Sequence, residues 1–201
     1  MHLLNRLEDL WLSWQLNGLL MRENLDTIST STDLFLDSLM FIDTIIGIEY
    51  PYYLPPNVVH VGPFLPKELT QLDAKLSVEQ LTFLESHQQV IYFAMGTFSV
   101  LPDEVLFKIA MALTDHAVLW SIPAPQRPII AGFGNNKWLI ETWVNQAYVL
   151  AHPSIELFVS HCGMGSSHES LIREKPLLCI PISGDQPLVA FRIADHQLGV
   201  A

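Results

Sequence analysis

The chain has 201 residues, half of them hydrophobic, with 15% charged and a formal net charge of −11. That size suits one domain, or one domain with a piece of another, and supplies ample material for a packed core. The acidic balance argues against a general nucleic-acid or anionic-membrane surface, which needs a basic face, but not against a small anionic ligand in a local positive pocket.

Residues 3–16 have helical periodicity, with Leu3, Leu7, Leu10, Trp11 and Trp14 on one face. The polar face is not basic, so this helix is read as packed on a core rather than lying on a membrane. Asn5, Arg6, Glu8 and Asp9 interrupt any signal-peptide core. No stretch reaches the roughly 20 apolar residues of a membrane span, so the chain is read as soluble. Residues 26–33 are polar and turn-rich, and the runs LFLDSLMFI and TIIGIEY read as short strands or buried segments. Pro51, Pro55, Pro56, Pro63 and Pro66 then mark an extended connector, with one short strand at 58–61. A domain boundary is expected near residue 65.

Residues 68–86 read as helical, with Ser77 and Gln80 spaced as a capping box. QQVIYFAMGT is short, rich in β-branched and aromatic residues, and ends in Gly96-Thr97: a buried strand. Pro102 opens a helix with Leu106, Ile109, Ala110 and Leu113 on one face. HAVLWSI, ELFVSH and PLLCIPI read as further strands, Trp143 and Gln146 as a loop before a short strand, and 187–198 as a last helix. The chain then stops with no closing strand, which suggests truncation. Cys162 and Cys179 make neither a disulfide framework nor a metal set, and read as free buried thiols in a reducing compartment.

Strands alternating with helices and apolar throughout imply an α/β fold, a Rossmann-like doubly wound parallel sheet covered on both faces. Ligands of such sheets bind beyond the carboxyl ends of strands. The loops at Gly96-Thr97, 161–167 and 183–186 all follow expected strands and would converge there.

Each candidate side chain has two readings. His161, at a strand end, could cap a turn or hydrogen-bond a phosphate. Ser166 and Glu169 fit a capping box, or a phosphate and a sugar diol. Trp143 could be packed, or could stack on a flat base while Gln146 bonds a nucleoside. Asp185 could be a helix N-cap or bind sugar hydroxyls. Gly163 and Gly165 form a lone GxG, not GxGxxG, and no metal-ligand spacing or GxSxG occurs.

Their joint order resembles the donor box of family 1 UDP-glycosyltransferases. That pattern runs W-x-P-Q, V-L-x-H, F-[VL]-[ST]-H-C-G-W-N-S, E-S-L, a proline, and D/E-Q. This chain supplies Trp143, Gln146, Val149-Leu150, His152, residues 158–163 (FVSHCG), Ser166, Glu169-Ser170-Leu171, Pro176, Pro181 and Asp185-Gln186 in register. The likeness extends over most of residues 40–201.

The resemblance implies a GT-B enzyme: residues 1–65 as the tail of an acceptor-binding N-terminal domain with its linker, and 66–201 as an incomplete UDP-sugar-binding C-terminal domain. It implies that Trp143 stacks on uracil, Gln146 contacts the nucleoside, and His161 and Ser166 hold the diphosphate with Gly163 and Gly165. Glu169 would bind the ribose, Asp185 and Gln186 the transferred sugar, and Thr97 would lie near the β-phosphate or the sugar. Asn145, Met164 and Gly165 depart from the family's Pro, Trp and Asn. The implied reaction is inverting, metal-independent hexosyl transfer from a UDP-sugar to a small lipophilic acceptor, such as a sterol or other lipid, with no cofactor beyond the donor. No match for the family's catalytic His/Asp pair is present, so the catalytic residues are unassigned. The rival reading is a non-catalytic UDP-sugar-binding module, or an inactive fragment, that needs a partner for the base. The expected location is cytoplasmic, with membrane association reserved for a longer parent; oligomeric state is unassigned.

Overall fold

A computed structural model of the chain describes residues 21–22, 38–64, 76–97, 100–134 and 136–201. The helix expected over 3–16, the polar turn at 26–33 and helix before residue 76 lie outside these residues. By contacts the chain divides into two compact units, Met1–Thr44 with Pro51–Gly62, and Ile45–Tyr50 with Pro63–Ala201.

In the first unit, strand β1 (Met40–Ile42) runs parallel to β2 (Val58–His60). Asn57 anchors the pair: its amide donates to the Ser38 carbonyl at 2.8 Å, and its own carbonyl accepts from Met40 N at 2.7 Å.

The second unit is built on six strands: β3 (Val90–Ala94), β4 (Ala117–Ser121), β5 (Trp138–Glu141), β6 (Ile155–Ser160), β7 (Leu177–Cys179) and β8 (Gly199–Val200). All are parallel, in the order β5-β4-β3-β6-β7-β8. The helices are α1 (Val78–Ser86), α2 (Asp103–Leu113), α3 (Arg127–Ile130), α4 (Gln146–Ala151), α5 (Met164–Ile172) and α6 (Gln186–Asp195). The period of two in β3 explains why its apolar run is continuous. Tyr92 and Ala94 join a core cluster with Leu84 of α1, Val149 and Leu150 of α4, and Val189 and Ile193 of α6. Phe93 joins the other cluster, with Leu106 and Ala110 of α2 and Ile130 of α3. Both faces of the sheet are thus covered by helices, as parallel strands require.

Local signals place several elements. The Ser77 hydroxyl accepts from Gln80 N at 3.1 Å while Gln80 Oε1 accepts from Ser77 N at 3.0 Å, so the capping box forms as the spacing implies. Pro102 stands at the N-cap of α2, and Asp103 and Glu104 in its first turn complement the positive end of the helix. On α6, Arg192 holds Glu49 of the 45–50 segment at 2.7 Å, with both side chains 11% exposed. Tyr50 donates to the Asp195 carboxylate, and the Arg192 guanidinium lies 5.6 Å from the Tyr50 ring centre.

Three expectations are corrected. Cys162 and Cys179 are not free thiols but a disulfide, because Ser160 pairs with Cys179 and Cys162, two residues past β6, turns back beside the end of β7. Free thiols were one ground for expecting the cytoplasm, and that ground is gone. Residues 199–200 are not an unpaired tail: they form β8, with Gly199 opposite Leu177. Finally, the short strand expected after Trp143 and Gln146 is helix α4, which Gln146 itself opens.

Candidate functional site

The strand order reverses at β3. The chain runs outward through β4 and β5, then returns to place β6 on the other side of β3. A crevice opens beyond the carboxyl ends of strands at such a switch point. Here it is a cavity of about 450 Å³. Thr97 follows β3, Ser121 ends β4, Trp143 and Gln146 follow β5, and Ser166 and Glu169 come from α5; all line it, above a floor that includes Tyr92.

Trp143 is 72% exposed, so its indole is not a core residue. Asn145 takes the N-cap position of α4 at φ −78°, a value within the range proline imposes. Its carbonyl accepts from Tyr148 N and Val149 N, so the turn survives the loss of the family's proline.

Gln146, the first residue of α4, gathers the polar side chains. Its Nε2 donates to Ser166 Oγ at 3.1 Å and to Glu169 Oε2 at 2.7 Å. This overturns the capping-box reading of Ser166 and Glu169. Helix α5 starts earlier, with Gly163 at its N-cap and no side-chain cap, which leaves Ser166 and Glu169 inside the helix on the cavity side. The first turn therefore keeps its amide groups and the positive end of the helix dipole available.

One carboxylate already sits there. Asp185 Oδ2 accepts from Met164 N at 3.3 Å. Asp185 is also the N-cap of α6, yet makes no cap bond to that helix. Gln186 turns into its own loop, accepting from Ile182 N at 2.7 Å and Ser183 N at 3.0 Å. Gly165 is exposed on the first turn of α5, and Met164 packs partly on the core.

His161 stands between two glycines. A Cβ on Gly96 would lie 2.7 Å from its Cε1, and one on Gly163 would lie 2.7 Å from its Nε2. The ring has this slot because neither position carries a side chain. Burial lowers the pKa of His161, against an opposing pull from Asp185. At neutral pH the imidazole is therefore uncharged and offers one N–H, and the main attraction for an anion falls to the α5 backbone. Gly96→Ala should test the slot. Gly96 has φ +78°, so the backbone cost alone is about 1–2 kcal/mol, before the ring is displaced. Denaturant unfolding that shows no loss would contradict it.

Thus Thr97, Trp143, Gln146, Ser166 and Glu169 converge on one cavity, and His161 adjoins it through Gly96. Asp185 meets the start of α5 next to Gly163, while the Gln186 side chain is directed elsewhere. Sequence reasoning missed Tyr92 and Ser121. A tyrosine in an apolar strand was the available signal, because a buried phenol seeks a partner.

A family model described as UDP-glucoronosyl and UDP-glucosyl transferase matches residues 18–201. The chain is 33% identical over 178 residues to UDP-glycosyltransferase 1 of Phaeomoniella chlamydospora, covering 82% of this chain and 36% of that one. It is 36% identical over 154 residues to a flavonol 3-O-glucosyltransferase of Actinidia chinensis var. chinensis, covering 72% and 33%. Among solved structures, a UDP-glucose:anthocyanidin 3-O-glucosyltransferase in complex with UDP aligns with a TM-score of 0.63 at 29% identity, over 71% of this chain and 34% of that one. The chain spans about a third of the length of these relatives.

Proposed function

The chain belongs to the UDP-glucuronosyl and UDP-glucosyl transferase family, and from that premise we propose that its second unit holds the UDP-sugar donor of a hexosyltransferase. The observation that carries the reading is the convergence of Gln146, Ser166 and Glu169 on a switch-point cavity beside the N-terminus of α5.

In this reading uracil stacks on the exposed Trp143. The ribose diol donates to the Glu169 carboxylate, and Gln146 contacts the nucleoside. The diphosphate takes the place at the α5 amides that Asp185 now occupies, with Ser166 and the neutral His161 as further donors and Thr97 near the β-phosphate. Asp185, once displaced, is free to accept from sugar hydroxyls next to Gln186. The acceptor oxygen attacks the anomeric carbon as the bond to the UDP oxygen breaks, and the acceptor proton passes to a base. Charge grows on the leaving diphosphate, where the amides of Met164 and Gly165 are already oriented, so transition-state stabilisation needs no metal. Among the described residues no group of three His, Cys, Asp or Glu side chains is placed to hold a metal ion.

No described residue is assigned as the base. Residues 1–65 are proposed as part of the acceptor-binding half, with an acceptor that is small and lipophilic; flavonol and anthocyanidin, named for two relatives, and sterols or other lipids are instances. The chain spans about a third of its relatives; a second reading is a donor-binding module that acts with a partner supplying the base. Among the described residues no helix is long and apolar enough to cross a membrane.

UDP should raise the melting temperature of the chain. At a hundred times its Kd, a ligand of the native state adds about 2.7 kcal/mol of stability. No shift at millimolar UDP would reject both readings. Transfer of sugar by the chain alone would reject the second.

A further inference from the structure

Tyr92 lies in the middle of β3, fully buried, with its ring stacked on Phe158 of β6 at a centroid separation of 4.8 Å. The ring would fill this place equally well without a hydroxyl. The hydroxyl instead reaches the cavity floor and donates to Gln146 Oε1 at 3.3 Å.

The direction of that bond follows from chemistry. The ionised carboxylate of Glu169 can only accept, so the amide nitrogen of Gln146 faces it, at 2.7 Å. The amide oxygen is left toward Tyr92, which must donate. Burial keeps the phenol protonated, the Glu169 charge acts in the same direction, and the nearby Ser121 side chain pulls weakly the other way. A chain of hydrogen bonds therefore crosses the site, from Tyr92 on β3 through Gln146 on α4 to Ser166 and Glu169 on α5.

We propose that Tyr92 is a positioning residue for nucleotide binding: its hydroxyl anchors the oxygen end of the Gln146 amide, whose nitrogen faces Glu169, and so holds Glu169 where its carboxylate meets the ribose diol. The inference rests on the UDP-binding reading above. Without the hydroxyl, the amide oxygen loses its donor at the cavity floor, and Gln146 is held only from the side of Ser166 and Glu169. The Gln146 side chain can then swing with Glu169 rather than hold the carboxylate in one place. Tyr92 touches no part of the nucleotide itself; it acts through Gln146.

Tyr92→Phe keeps the ring and its stack on Phe158. In calorimetric titrations of the chain it should weaken UDP binding about three- to tenfold, the range of one hydrogen bond. Affinity for 2′-deoxy-UDP, which lacks one of the hydroxyls that Glu169 would accept from, should change less, so the preference for UDP narrows. In a Glu169→Ala background, Tyr92→Phe should have little further effect, because the two act as one unit. A lowered melting temperature with an unchanged UDP to 2′-deoxy-UDP ratio would reduce Tyr92 to a packing residue and overturn the inference. Additive losses in the double variant would also overturn it. A wild-type chain that binds no UDP would reject the underlying reading instead, before any variant is compared.

Discussion

Replacing Glu169 with alanine should weaken UDP binding by about a hundredfold and leave stability nearly unchanged. The first expectation comes from two ribose hydroxyls donating to one carboxylate. Hydrogen bonds to charged groups contribute about 1.5–3 kcal/mol each, so losing the pair costs about 3 kcal/mol or slightly more, near two decades of affinity. The second follows from where Glu169 sits. It makes no capping bond to α5, and its carboxylate accepts from Gln146 at the cavity wall. Truncation there removes no cap and opens no core cavity, which keeps the change near 0.5 kcal/mol. Titration calorimetry and denaturant unfolding separate the two quantities. Unchanged affinity with a loss of about a kcal/mol would return Glu169 to a purely structural role.

Reducing the Cys162–Cys179 bond should cost about 3 kcal/mol of stability. The bridge closes a loop with a sequence separation of 17, for which chain entropy gives that order of magnitude. In a chain of this size each kcal/mol corresponds to roughly 2–4 °C, so the melting temperature should fall by roughly 6–12 °C in a phosphine reductant. UDP affinity should fall as well. Cys162 has φ +56° and stands between His161 and Gly163, so the bridge holds the turn that aims the imidazole and opens α5. Cys179→Ala should melt low and be indifferent to reductant. Two titratable thiols in the unreduced, denatured chain would contradict the pairing.

These two predictions also mark where the sequence was informative. Glu169, Ser166 and His161 could be picked out, because a strand running into a small-residue loop and a helix is a local pattern. Their roles could not be separated locally, since S-S-H-E at a helix start is as good a capping box as a ligand set. The structure resolves this through Gln146, which lies 20 residues from Ser166 and reaches it only when α4 packs beside α5. The cysteine pairing was hidden for the same reason: it depends on β6 and β7 lying side by side. Strand β8 has two residues and no propensity signal of its own, and exists because β7 offers a partner edge. By contrast, the start of α1 at Ser77, the continuous run of β3 and the apolar face of α2 were all legible, because each is set by residues within a few positions of one another. Met164 and Gly165 depart from the H-C-G-W-N-S pattern that the sequence otherwise resembles, and the start of α5 is intact nonetheless, because Gly163 and the backbone form it.

The position of UDP in a crystal of the complex, grown in a chelator, tests the central claim most directly. The account predicts uracil on Trp143, ribose O2′ and O3′ at Glu169, and the diphosphate at the Met164 and Gly165 amides with Asp185 moved away. A nucleotide bound outside this cavity, or a diphosphate held away from α5 while Asp185 keeps its bond to Met164 N, would contradict it.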